Sequence, residues 1–271
     1  MTLFKICRMM RVVRMPVRAS ARLTLAAFCL TGLFGPMASA ASPSIEIYSN
    51  SGGNNTLPSP IPFTILNLGT NKTANTLVQS TTVTSSSSGS APAKLPSGAE
   101  ISSIAFGTGG STPSGVFAGG VGGQAATPFG STNTKTDYLV AGASGSVTVS
   151  YTVTQDALQM LWGSVDSSAT NNNNVIIFKN GGTTIATVNG ADIASAMGSG
   201  SVSGTTNVAL RFFGLSGFDT VVFSDPGSAA FEFALGLPVP EPATIGLFGI
   251  AAAGLGVARV RGKPRRARSA K

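Results

Sequence analysis

The chain has 271 residues, with 18 Lys and Arg against 10 Asp and Glu and no His, for a formal charge of +8. Charged residues make up only 10% of it, far below the rough quarter usual in soluble domains, and the absence of His excludes chemistry that depends on imidazole. Both cysteines, Cys7 and Cys29, lie near the N-terminus, so the rest of the chain has no disulfide, thiolate nucleophile or Cys/His zinc cluster.

The positive charge is confined to the ends. Six cations precede residue 23, seven follow residue 258, and the five remaining bases share the middle of the chain with all ten acids, leaving a body of −5. A basic groove for nucleic acid is therefore not expected.

In chain order, a basic stretch through Arg22 leads into the apolar run Leu23 to Phe34, then Gly35-Pro36 and Ala38-Ser39-Ala40. This is the layout of an export signal. Ala38 and Ala40 supply the small residues a signal peptidase accepts, which predicts cleavage after Ala40 and a new N-terminus at Ala41. A membrane anchor is the competing reading. Twelve apolar residues at about 1.5 Å each fall short of roughly 30 Å of hydrocarbon. Cys29 follows the bulky Phe28, which argues against lipid attachment there.

Residues 41–236 read as one exported domain of short strands. The spacing predicts strands at 45–48, 63–68, 101–106, 138–141, 146–154, 158–163, 175–179, 184–188, 208–213, 220–224 and 230–234, and one short helix over 191–197. Ser146 to Thr154 is apolar at every second position, as a half-buried antiparallel strand requires. Val175-Ile-Ile-Phe and Thr184-Ile-Ala-Thr-Val flank Asn180-Gly181, which predicts a hairpin, since that pair accepts the positive φ of a tight turn. Short strands between Gly, Ser and Asn turns predict an all-β fold, an antiparallel β-sandwich or jelly roll.

Residues 70–135 look less ordered. Thr81 to Ser90 is a Ser/Thr tract and Gly107 to Gly123 is Gly-rich, so both are expected to be surface loops that bury little apolar surface. O-glycosylation or flexible adhesive spacing is the alternative for the Ser/Thr tract. Asn54-Asn55-Thr56 and Asn71-Lys72-Thr73 match the N-glycosylation triplet, a pattern common by chance in so Asn/Thr-rich a chain.

Two residues of the body are candidate ligand contacts. Trp162 is the one tryptophan; it reads either as a core aromatic or, with Asp166, as a glycan-stacking site, and the core reading is preferred. Asp166 with Asn171 to Asn174 is the densest group of oxygen ligands, which makes calcium a minor alternative to having no cofactor. No spacing singles out the facing pair of carboxylates a glycosidase needs, and acids such as Asp156, Asp192 and Asp225 sit beside predicted turns. No catalytic residue and no enzyme activity are predicted.

The C-terminus has three parts. Val239-Pro240-Glu241-Pro242 holds the backbone extended through its prolines. Residues 243–258 are uncharged and at about 1.5 Å each give a marginal span of about 24 Å. The basic tail Arg259, Arg261, Lys263, Arg265, Arg266, Arg268 and Lys271 holds the far end in the cytoplasm. An ordinary single-pass anchor is the competing reading.

Pro240-Glu241-Pro242, a hydrophobic stretch and an Arg-rich end together resemble the PEP-CTERM sorting signal of Gram-negative bacteria, the substrate of exosortase membrane enzymes. The resemblance implies transient anchoring through the C-terminal helix, cleavage near the Pro-Glu-Pro, and delivery to the outer envelope or extracellular matrix. Signal peptidase and exosortase are then the partners in maturation. Residues 137–236, with Trp162-Gly163-Ser164-Val165-Asp166 and the late Phe231-Glu232-Phe233, are similar to a group of exosortase-dependent surface proteins, which implies a lectin-like body. Phe233-Ala234 stands where that group has Asp-Asn after the last Phe-Glu.

The expectation is an exported surface or matrix protein, as in biofilms, with a structural or adhesive role linked to exopolysaccharide or cell-surface glycans. A carbohydrate-binding module and an extracellular polysaccharide hydrolase are the alternatives.

Overall fold

A computed structural model describes residues 42–237, apart from 54–55, 70–75, 85–92, 123, 134–135, 166–173, 200–201, 203 and 228–229. The chain divides into two units, Met1–Ala38 and Ser39–Lys271, and every described residue belongs to the second. The predicted signal peptide and sorting helix lie outside the described residues.

The strands are β1 (Ser44–Asn50), β2 (Thr76–Gln79), β3 (Val83–Thr84), β4 (Ile101–Phe106), β5 (Gly115–Ala118), β6 (Asp137–Ala141), β7 (Gly145–Gln155), β8 (Leu158–Gly163), β9 (Val175–Asn180), β10 (Thr183–Asn189), β11 (Val208–Phe213), β12 (Phe218–Asp225) and β13 (Phe231–Leu235). One helix, α1 (Gly190–Ala196), follows β10. Its N-cap is Asn189, whose side chain accepts from the backbone of Ala191 and Asp192 while the Asp192 carboxylate accepts from the Asn189 N–H. This reciprocal arrangement ties off amides that a first helical turn otherwise leaves unbonded.

All pairings are antiparallel, in two sheets ordered β1-β11-β8-β13-β6-β5-β2 and β10-β9-β12-β7-β4-β3. Alternation decides what lies between them. In β7, Val147 and Val149 are fully buried while Ser146, Thr148 and Ser150 stay partly exposed. In β13, Phe231, Phe233 and Leu235 point to the same core. That core draws on both sheets: Phe223 of β12 stacks on Phe233 of β13 at 3.9 Å between ring centroids, and Phe178 of β9 meets Phe212 of β11 edge-on at 5.5 Å. Each fully buried Phe contributes about 1.5–3 kcal/mol relative to exposure, and the stacked pairs add to it.

Part of the outer face of the seven-stranded sheet is also covered. Phe117, Tyr138, Val140, Leu161 and Ala234 point away from the main core and pack against Phe129 and the partly buried Ile61, Phe63, Ile65 and Val121. Two hydrogen bonds secure this cover: the buried Tyr138 hydroxyl donates to the Gly119 carbonyl, and the Ala126 N–H donates to the Glu232 carboxylate.

Ten of the predicted strands recur within a residue or two, and the predicted helix recurs one residue earlier. Segment 63–68 does not form a named strand. Both edges of β13 are already taken, by β8 and by β6, but β6 stops at the Phe233 pairing. Past that point Leu66 N–H donates to Leu235 and Leu237 N–H to Thr64, with one bridge from Ile65 to Gly236. The segment fills only the vacant end of that edge.

The loop reading of residues 70–135 needs correction. β2, β3 and β5 were not expected there, and all four residues of β5 are buried. Gly-rich sequence buries surface here by close approach of backbones: a Cβ on Gly115 would collide with the Gln79 carbonyl oxygen, and one on Gly142 with that of Thr112. The hairpin is present but its turn shifts by one residue. Thr183 pairs with Asn180, so Gly181 and Gly182 are the two turn residues, at φ +54° and +82°, as a type I′ turn requires.

Candidate functional site

Trp162 has no exposed surface, and its ring lies 4.6 Å from that of Phe231. It sits in β8 between β11 and β13, paired with Val208 and Phe233, because Leu158, Met160 and Trp162 share the inward face of that strand. A sugar ring has no access to it, so the position fits the core reading and not a stacking platform. Its Nε1–H is enclosed and has no acceptor. Asp166 and Asn171 to Asn173 lie outside the described residues. Asn174, the described member of the candidate calcium group, is 1% exposed, with both amide atoms enclosed and lacking hydrogen-bond partners. Among the described residues no three His, Cys, Asp or Glu side chains gather as metal ligands do.

Several acids hold turns and loops. The Asp225 carboxylate accepts from Gly227 N–H at 2.6 Å, Asp219 from Gly181 N–H at 2.8 Å, and Glu100 from the Gln155 amide at 2.9 Å. With Asp192 in the helix cap and Glu232 under the covering loop, these carboxylates act on the fold.

One partly exposed cluster joins charge to aromatic surface, at the β1 edge of the seven-stranded sheet. Glu46 pairs with Arg211, and Arg211 with Gln159, across three neighbouring strands. Directly paired residues share a face, and here it is the outer one, since Ile45, Ile47, Leu210, Phe212, Leu158 and Met160 turn into the core. The Arg211 guanidinium carbon lies 5.6 Å from the ring centre of Phe213, which is 37% exposed. The Gln159 amide donates to the Tyr48 hydroxyl at 3.4 Å, and the Tyr48 and Phe63 rings are 6.0 Å apart. Sequence alone does not single out this cluster, because its members are spread from residue 46 to residue 213 and only the sheet order unites them.

The C-terminal junction is close-fitting. β13 is an interior strand, Gly236 and Leu237 are bonded to Gln159 and Thr64, and the described chain ends there. Residues 238–261 match the family model for the PEP-CTERM protein-sorting motif. The chain carries an exosortase sorting signal. This motif marks an exported protein that exosortase processes and sorts to the cell surface. The Val239, Pro240, Glu241 and Pro242 positions and the tail from Arg259 to Arg268 lie outside the described residues, as do Ala38, Ala40 and Ala41. Among the described residues no helix is long and apolar enough to cross a membrane. No curated protein and no solved structure matches the chain.

Proposed function

We propose that the protein is a non-catalytic structural or adhesive component of an exopolysaccharide matrix, presented by a β-sandwich that exosortase releases from a transient membrane anchor. The observation that carries this reading is the position of the sorting signal. It begins at residue 238, one residue after Leu237, the last described residue, whose N–H donates to Thr64. A cut at Val239 to Pro242 therefore removes anchor and basic tail and leaves every strand in place. The shared core of two antiparallel sheets supports the sandwich, and the engagement of carboxylates in caps and turns supports a role without catalysis. In this reading the mature body, from Ala41 to the cut, is acidic and disulfide-free, with the export signal and tail both gone.

Mass spectrometry of the protein recovered from intact cells and culture matrix tests this. A mature form starting at Ala41 and ending within Val239 to Pro242, enriched with matrix polysaccharide, is the expected result. Recovery of Arg259 to Lys271 in the mature surface form would overturn the processing step, and equal recovery from cells that make no exopolysaccharide would overturn the matrix role.

A further inference from the structure

We propose that the outer-face cluster of Glu46, Tyr48, Phe63, Gln159, Arg211 and Phe213 binds a neutral, hydroxyl-rich polysaccharide. This deepens the matrix reading above and rests on it. The polar groups are of the right kinds. Each sugar hydroxyl both donates and accepts, so it needs an acceptor and a donor close together. Glu46 accepts only, Arg211 donates only, and the Gln159 amide and Tyr48 hydroxyl do both.

These groups are also available. Glu46 and Arg211 stand opposite each other on adjacent strands, yet no ion pair or hydrogen bond engages either side chain among the described residues. The Arg211 Nε is enclosed without an acceptor, and its guanidinium is held against Phe213. A planar guanidinium fixed on a ring presents its remaining donors in a constant direction and suits adjacent hydroxyls. Phe213 and, separately, the exposed edges of the partly buried Tyr48 and Phe63 pair beside Gln159 offer apolar surface for the C–H faces of a sugar. Gly236 lets these groups close up, since a Cβ there would come 2.8 Å from the Gln159 side chain and 2.9 Å from the Phe63 ring.

Charge selects the ligand class. The cluster holds one cation and one anion, so a uronate or sulfate would gain at Arg211 what it loses at Glu46. A body of −5 further repels a polyanion. A neutral glycan meets both charges as hydrogen-bond partners, and charge-assisted bonds are the stronger kind. β1 is the last strand of its sheet, so no further strand continues the outer face beyond Glu46.

The test is affinity electrophoresis of the full chain in detergent micelles, through gels containing neutral glucans and galactans or, in parallel, alginate. The terminal cations, six before residue 23 and seven after residue 258, attract alginate whatever the cluster does, so alginate is expected to retard wild type and Arg211→Gln equally; at least one neutral polymer is expected to retard the wild type. Arg211→Gln and Glu46→Gln should each weaken that binding about tenfold or more, the loss of one charge-assisted hydrogen bond, without changing the thermal melt. Glu46 is exposed, so its variant is a safe control on folding. Variants that bind like the wild type would overturn the site but leave the matrix reading standing. Alginate retardation that falls in Arg211→Gln would overturn the ligand class. A wild type that binds no polysaccharide, while still recovered with the matrix, would overturn this inference alone; loss of both would overturn the matrix role as well.

Discussion

Trp162 is where a structural and a ligand-binding role make opposite predictions. A wholly buried tryptophan removes about 150–250 Å² from water, worth about 4–6 kcal/mol at ~25 cal/mol per Å². Cutting it to Ala keeps a little of that burial and leaves a cavity against Phe231, for an expected loss of about 3–5 kcal/mol. For a domain of this size each kcal/mol moves the melting temperature by about 2–4 °C, so Trp162→Ala should lower it by about 6–20 °C. Trp162→Phe should behave differently. The Nε1–H has no acceptor, so the substitution breaks no hydrogen bond and removes a buried donor whose desolvation costs about 1–3 kcal/mol. That gain offsets most of the lost area, and the net change should stay within about 1.5 kcal/mol. Urea and thermal unfolding of the full chain, followed by circular dichroism, measure both variants. A melt of Trp162→Ala within about 2 °C of wild type, with glycan binding lost, would falsify the core assignment. A Phe variant as unstable as the Ala variant would show instead that the indole N–H has a partner.

Two further predictions concern the fold. Gly142→Ala should cost at least about 1–3 kcal/mol, because its Cβ meets the backbone oxygen of Thr112, which cannot rotate away; Gly122→Ala, with open space around it, should be neutral or slightly stabilising, and equal urea midpoints for the two would refute the close-approach argument. Tyr138, 1% exposed, and Tyr151, which meets Phe218 edge-on, are both pushed above the ordinary tyrosine range, first by burial and for Tyr138 also by the Glu232 charge. The folded state thus keeps protons that the unfolded chain releases near pH 10. Stability should be constant below about pH 9 and fall above about pH 10, by about 1.4 kcal/mol per pH unit for Tyr138. Urea unfolding from pH 8 to 11 reads this, and an unchanged slope in Tyr138→Phe would contradict it.

The strands were legible because their pattern is local. Alternation in 146–154 fixes which side chains can share a face, whatever partner strand arrives. Segments such as 115–118 were not legible, since Gly115-Val-Phe-Ala carries no alternation and its burial depends on the Gln79 backbone, 36 residues upstream. The hairpin was located correctly by composition, yet its register was settled by Asn180, which pairs with Thr183 and donates its side-chain amide to Gly217.

The sequence by itself determined the C-terminal sorting motif, because such a signal is read from an extended segment and needs only the order of Pro-Glu-Pro, apolar and basic stretches. It also determined that residues 41–236 are acidic and free of His and Cys. Only the tertiary structure decided that Trp162 is core, because that depends on β8 lying inside a seven-stranded sheet. Likewise, only the order β1-β11-β8 brings Glu46, Gln159 and Arg211 side by side, since adjacency across a sheet is set by strand pairing and leaves no trace in local spacing.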